Sequence, residues 1–336
     1  MRIQELRELI ESYSADQLRP IIGEIYKRIP KKVIGEKGID ELLKDPKKAL
    51  SIRKERRKTI EPGHFGAVKL EVEHFLDNAN RQYYFAPNRF VPKKERPKWR
   101  FTAKRLRKEL LLLSQDRQHL AEVDDLLTRL YGLLCRACGE WLFSSTDPFR
   151  AVGVAQTEFY ADVVALKKRA GRGTEWIAPA VVTLIDNTLD SSTTNSDLIE
   201  VLLEFLDTAP LKEEAIAQCD RLLRENEDAA PAKDRDGKGY AVEERGKVLV
   251  ECVFRLQMAL AEHEAAVDYF KSHHVGFDEA DRLNALLWML FRLRLKDLWL
   301  REYEAGVEKG LEVWPSLRRI YQSIKKAGDF PVFVVV

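Results

Sequence analysis

The chain is predicted to be all-α, an irregular stack of antiparallel helix pairs, on three observations. Apolar residues recur at helical spacing from about residue 98 onward, and no β-branched alternating run occurs before Phe330. Glycine (17) and proline (13) are scarce among 336 residues, too few for the many tight turns of a sandwich or barrel. Hydrophobic residues make up 45% and charged residues 33%, a composition that can bury a core and does not match intrinsic disorder.

Taken in order, residues 2–28 read as two short helices, the second starting at Ser14-Ala-Asp-Gln17, a capping-box pattern. A basic stretch over 29–62 ends at Glu61-Pro-Gly63, and a helix follows from about Phe65 to Tyr84. Pro87, Pro92 and Pro97 make 86–97 an ordered loop or linker. Beyond it, Trp99, Ala103, Leu106, Leu110 and Leu113 share a face, and Leu126, Leu130, Leu133, Leu134 and Trp141 continue the pattern. Asp147-Pro148 starts a helix over 148–169 that Gly171-Arg-Gly173 closes. Further helices are expected near 175–190, 196–208 and 211–227, a loop over 228–239, and long helices over 240–273, 278–309 and 314–327. The apolar tail from Phe330 to Val336 reads as a lone strand or a plug against a helix.

Helix pairs of roughly 35–45 residues fit a HEAT- or TPR-like α-solenoid, but no consensus residue recurs at a fixed period, so a single multi-helix domain fits equally. The expected organisation is a basic helical region with a proline-rich linker over 1–97 and a helical-repeat-like domain over 98–336. Four cysteines are too few for a secreted disulfide scaffold. The opening Met-Arg-Ile-Gln-Glu-Leu-Arg lacks the apolar core of a signal peptide. The longest apolar run, Ala285 to Phe291, falls short of the ~20 residues of a membrane span. A soluble cytoplasmic protein that does not engage a membrane is the expectation.

Charge is unevenly distributed. Residues 1–110 hold 28 basic and 16 acidic side chains, and the remainder hold 28 and 38. The most unusual cationic stretch runs from Arg89 to Lys108, with ten basic residues and the single acid Glu95. In its helical part Arg100, Lys104, Arg107 and Lys108 fall at i, i+4, i+7 and i+8, away from the apolar face of Trp99, Leu106 and Leu110. Lys93, Lys94 and Arg96 precede them, and Arg56 and Arg57 in the Arg53–Lys58 cluster extend the track. Such a stripe suits a phosphate backbone through counterion release. Tyr83, Tyr84 and Phe90 could stack on unpaired bases, worth ~1–3 kcal/mol each. The alternative is a solvated or acid-paired helix face with the aromatics in the core.

Nothing in the sequence commits the chain to catalysis. Cys135-Arg-Ala-Cys138 follows no strand and has no second pair for zinc, so it reads as structural. Glu71-Val-Glu-His74 is one Glu-x-x-His where a di-iron bundle needs two. His273-His274 reads as a helix-end interaction. Asp234-Arg-Asp-Gly-Lys-Gly239 resembles the opening of an EF-hand loop but puts Lys238 and Arg245 where calcium needs oxygen ligands. Arg57 and His64 share the spacing of the HEPN ribonuclease motif, with Pro62-Gly63 interrupting the helix that motif requires. Walker A, Gly-x-Gly-x-x-Gly, His-Glu-x-x-His and Gly-x-Ser-x-Gly patterns are absent. No cofactor and no metal are implied. The expectation is a non-enzymatic helical binding or scaffold protein with a protein partner and a basic surface for an anionic one, nucleic acid included. A helical nucleic-acid-processing enzyme and a purely structural subunit are the alternatives, and oligomeric state is left open.

Overall fold

A computed structural model describes residues 9–29, 34, 39–45, 64–228, 238–274, 276 and 278–331. The described residues contain helices and no strand. The chain divides into two compact units, Met1–His64 and Phe65–Val336.

In the first unit, α1 (Ala15–Arg28) starts at the expected capping box. Ser14 Oγ accepts from the Gln17 N–H at 3.3 Å, and Gln17 Oε1 accepts from the Ser14 N–H at 2.9 Å. Tyr26 donates its hydroxyl to Asp40 on α2 (Ile39–Lys44) at 2.5 Å. None of the α1 side chains is buried.

The second unit is a multi-helix domain. Its helices are α3 (His64–Asn80), α4 (Trp99–Leu113), α5 (Leu120–Gly139), α6 (Pro148–Val152), α7 (Gln156–Ala170), α8 (Ile177–Ile185), α9 (Asn195–Phe205) and α10 (Ala209–Asp228). After them come α11 (Lys238–Ala259), α12 (His263–His273), α13 (Glu279–Arg292), α14 (Lys296–Glu308) and α15 (Pro315–Ala327). Helices close in sequence pack together: α4 on α5, α5 on α7, α7 on α9, α10 on α11, α11 on α12 and α13 on α14. The division after His64 differs from the boundary expected at residue 97. Phe75 and Tyr84 pack on Phe143, which stacks on Trp99 at 3.9 Å, so α3 and the loop after it share the core of the helices that follow.

Three expected long helices are each broken in two, and each break falls at a residue in the left-handed region. Gly153 (φ 73°), Ala261 (φ 62°) and Arg294 (φ 58°) end α6, α11 and α13. At each, the next residue's N–H reaches five residues back: Val154 to Phe149, Glu262 to Gln257 and Leu295 to Leu290, at 3.2, 3.0 and 3.1 Å. This is the Schellman end, which satisfies the last helical carbonyls. Ala261 holds its conformation without glycine's freedom, at a cost of about 1–2 kcal/mol. Ala261→Gly is expected to stabilise the protein by about 0.5–1 kcal/mol after glycine's own entropic cost, read as a higher urea midpoint with an unchanged m-value.

Aromatic clusters form the interior. Tyr131 meets Phe149, Phe159 and Tyr160, and the Tyr160 hydroxyl donates to the Ala180 carbonyl at 3.0 Å. Gln156 is fully buried. Its amide donates to the Thr188 carbonyl at 3.1 Å and accepts from the Asp190 N–H at 2.8 Å, tying the loop after α8 to the start of α7. Trp141, expected on the core face, lies beyond the end of α5, 59% exposed, leaning on Phe85. Of the apolar tail, Phe330 is buried against Phe291 and Trp299 as a plug, and residues 332–336 lie outside the described residues. No helix among the described residues is long and apolar enough to cross a membrane.

Candidate anion-binding surface

The surface is built on α4 and the loop that feeds it. Trp99, Ala103, Leu106, Leu110 and Leu113 are all buried, as their spacing requires. Two side chains hold the loop. Asn88 Nδ2 donates to the carbonyls of Tyr83 and Ala86, and Oδ1 accepts from the N–H groups of Phe90 and Val91, at 2.7 to 3.0 Å. Arg96 completes this loop. Its Nε donates to the Val91 carbonyl at 3.1 Å and its Nη2 to the Asn88 carbonyl at 3.0 Å, so it acts as a staple.

Anchoring the loop this way presents aromatic rings at the surface. Phe90, 57% exposed, stacks on Tyr83 at 4.7 Å, with the Arg89 guanidinium 5.2 Å from the Phe90 ring centre. Tyr84 turns inward to Phe75 and Phe143, and burial raises its hydroxyl pKa. Phe101 lies on the outer face of α4, 62% exposed, under the Arg100 guanidinium at 5.0 Å. On the helical wheel Phe101 falls at i−3 and i−7 from Lys104 and Lys108, so ring and cations share one face.

The four cations of the expected stripe do not have the same surroundings. Arg100 and Lys108 are exposed and have no carboxylate partner among the described residues. Lys104 is half-buried, its Nζ 3.5 Å from the Gly153 carbonyl. Arg107 is occupied inside the fold: its side chain is 11% exposed and its Nε donates to Asp162 at 2.7 Å and its Nη2 to Glu158 at 2.7 Å. Lys93 and Lys94 are exposed on the loop. Arg56 and Arg57 lie outside the described residues, as do residues 229–237 with most of the EF-hand-like stretch. The neighbouring Arg105, which the stripe did not include, pairs with Glu71 and Glu109.

The other sequence candidates have ordinary partners. Glu71 is taken by Arg105, and His74 contacts Asn78 at 3.2 Å. Among the described residues no group of three or more His, Cys, Asp or Glu is arranged to hold a metal ion. Cys135 and Cys138 sit in the last turns of α5, and burial pushes both thiols up to about 12. That keeps them protonated, opposite to what a redox Cys-x-x-Cys needs. The His273 Nδ1 meets the Tyr269 carbonyl at 2.9 Å at the end of α12.

No known protein family, curated protein or solved structure matches the chain. What the surface does must follow from its own side chains. Phe101 and Arg89 are the contributors that the sequence pattern missed. Phe101 was visible on the wheel, about 200° from Trp99 and so opposite the core.

Proposed function

We propose that the chain is a non-enzymatic helical binding protein whose α4 face and preceding loop dock an anionic partner, with nucleic acid as the best chemical fit. The observation that carries this is the outer face of α4. Exposed Arg100 and Lys108 have no carboxylate partner among the described residues and share that face with exposed Phe101. A merely solvated charged face has no need of a large apolar ring at its centre, whereas a base can stack on one. The first turn of α4 also carries no acidic residue, and no side chain caps it. Cations at that end oppose the helix dipole, a local cost of about 0.3–1 kcal/mol that a docked anion offsets.

The role of the cations is contact with phosphate, chiefly by Arg100 and Lys108, with Lys104, Lys93, Lys94 and Arg89 beside them. Phe101 and the Tyr83–Phe90 pair are the stacking groups. The rest of the second unit, a repeat-like helical body in this reading, is the scaffold that presents them. A protein partner is supported separately by α1, where Ile21, Ile22 and Ile25 are 39 to 56% exposed. A helix with such an apolar stripe suits another helix laid along it.

The test is fluorescence anisotropy with short single- and double-stranded RNA and DNA across a salt series. Affinity is expected to fall log-linearly with salt, each phosphate contact adding about 0.7–0.9 to the slope. Arg100→Glu with Lys104→Glu and Lys108→Glu is expected to weaken binding at least about tenfold and flatten the slope. Phe101→Ala is expected to weaken single-strand binding by about 1–3 kcal/mol with little effect on the slope. Absence of binding at low salt, or a triple variant that stays folded and binds unchanged, would overturn the proposal.

A further inference from the structure

Away from the α4 face, a cavity of about 410 Å³ lies among α12, α13 and α14. That is within the range of small-ligand sites. Ala305 and Gly306 of α14 and Leu283 and Leu286 of α13 supply its apolar lining, with Leu311. Gly306 leaves room there for the Leu283 side chain, whose Cδ2 would have to move aside for any Cβ at this position.

The rest of the lining is charged, with Lys271, Arg282 and Lys309 against Glu279 and Glu302, and these charges do not cancel. Glu302, 5% exposed, is paired twice, with Lys271 and with Arg301. Lys309 and Glu279 meet at 3.4 Å at the rim, both more than 60% exposed, and such a pair is worth little. Arg282 is left over. Its Nη1 donates to the Lys271 carbonyl at 2.8 Å, its Nε is buried without a partner, and no carboxylate pairs with it among the described residues. A guanidinium held partly out of water without a counterion is unfavourable and attracts an oxyanion. The neighbouring His274 responds to the same field: burial first, then the charges of Lys247 and Arg282, lowers its imidazole pKa.

We propose that this cavity binds a small amphiphilic oxyanion, a carboxylate or phosphate monoester on an apolar stem. The oxyanion faces Arg282, with Lys271 and Lys309 adding positive potential, and the stem lies against Leu283 and Leu286. This site is separate from the α4 surface and does not depend on nucleic-acid binding.

The test uses the full chain with three probes, phenyl phosphate, 4-phenylbutyrate and inorganic phosphate, followed by calorimetry and thermal shift. One or both phenyl probes are expected to bind and raise Tm, and whichever is tighter identifies the headgroup. Inorganic phosphate is expected to bind at least about tenfold more weakly, because it lacks the stem. Arg282→Gln is expected to weaken the phenyl probes at least about tenfold. Ala305→Glu, at an exposed rim position of α14 that leaves the core untouched, is expected to do the same by charge and bulk, and Arg282→Lys to retain part of the affinity. The proposal is overturned if neither phenyl probe binds by about 10 mM, if inorganic phosphate binds as tightly as both, or if folded Ala305→Glu protein binds like the wild type.

Discussion

Truncating Trp299 to alanine is expected to lower stability by about 3–5 kcal/mol, the upper range for a buried aromatic side chain. Trp299 is fully buried on α14 and joins three segments. Its indole N–H donates to the Leu287 carbonyl of α13 at 2.8 Å, its ring stacks on Tyr303 at 5.1 Å, and Phe330 meets it edge-on at 5.9 Å. Alanine leaves a void that rigid helices on two sides cannot close, and it removes the surface on which Phe330 is seated. Trp299→Phe keeps most of the ring contact and loses the N–H donor, so about 1–2 kcal/mol is expected from that change. Urea unfolding followed by helical circular dichroism measures both. A loss below about 1 kcal/mol for the alanine variant would show that the site collapses around the void and that Trp299 does not hold these helices together.

The part of the fold that was legible in the sequence is the part that repeats. The buried face of α4 recurs over four turns, from Trp99 to Leu113, and each member is buried. The helix starts at Ser14 and Asp147 were legible for a different reason, since capping is chemistry between residues two to three apart. Helix ends were less so. Gly153 is a residue type that marks a stop, but Ala261 and Arg294 are not, so residue type does not announce their left-handed turns. The candidate site divides in the same way. Phe101 could be placed outside by its angle on the wheel alone. Arg107 and Lys108 are adjacent in sequence, and what separates their roles is Asp162 on α7, which no local pattern reveals. The cavity beside Gly306 is assembled from three helices and has no sequence signature at all.

Replacing Arg107 with alanine is expected to cost about 2–3 kcal/mol at neutral pH, below the usual 3–5 for breaking a buried pair because Asp162 retains some solvent access. The side chains of Arg107 and Asp162 are 11% and 25% exposed, and the guanidinium also lies 5.3 Å from the Phe159 ring centre. The loss has a definite pH dependence. Burial already raises the Asp162 carboxyl pKa above its ordinary value, and Arg107 is the charge that opposes this rise. Without Arg107 the rise is unopposed. A carboxyl whose folded pKa lies above its unfolded one penalises the fold most above the folded value, and the penalty disappears below the unfolded value. The deficit of Arg107→Ala relative to wild type should therefore shrink as pH is lowered into the carboxylate range. Arg107→Ala with Asp162→Asn should recover much of the loss at neutral pH, because the buried position no longer has to hold a charge. Comparing urea midpoints of the three proteins at neutral and acidic pH decides the matter. A deficit that stays constant with pH, or a double variant no more stable than the single, would mean that Arg107 contributes by its contact with Phe159 instead of its charge. The same result separates the two cations that the sequence had grouped together. Lys108→Ala, at an exposed position without a carboxylate partner among the described residues, is expected to leave stability within about 0.5 kcal/mol while weakening anion binding.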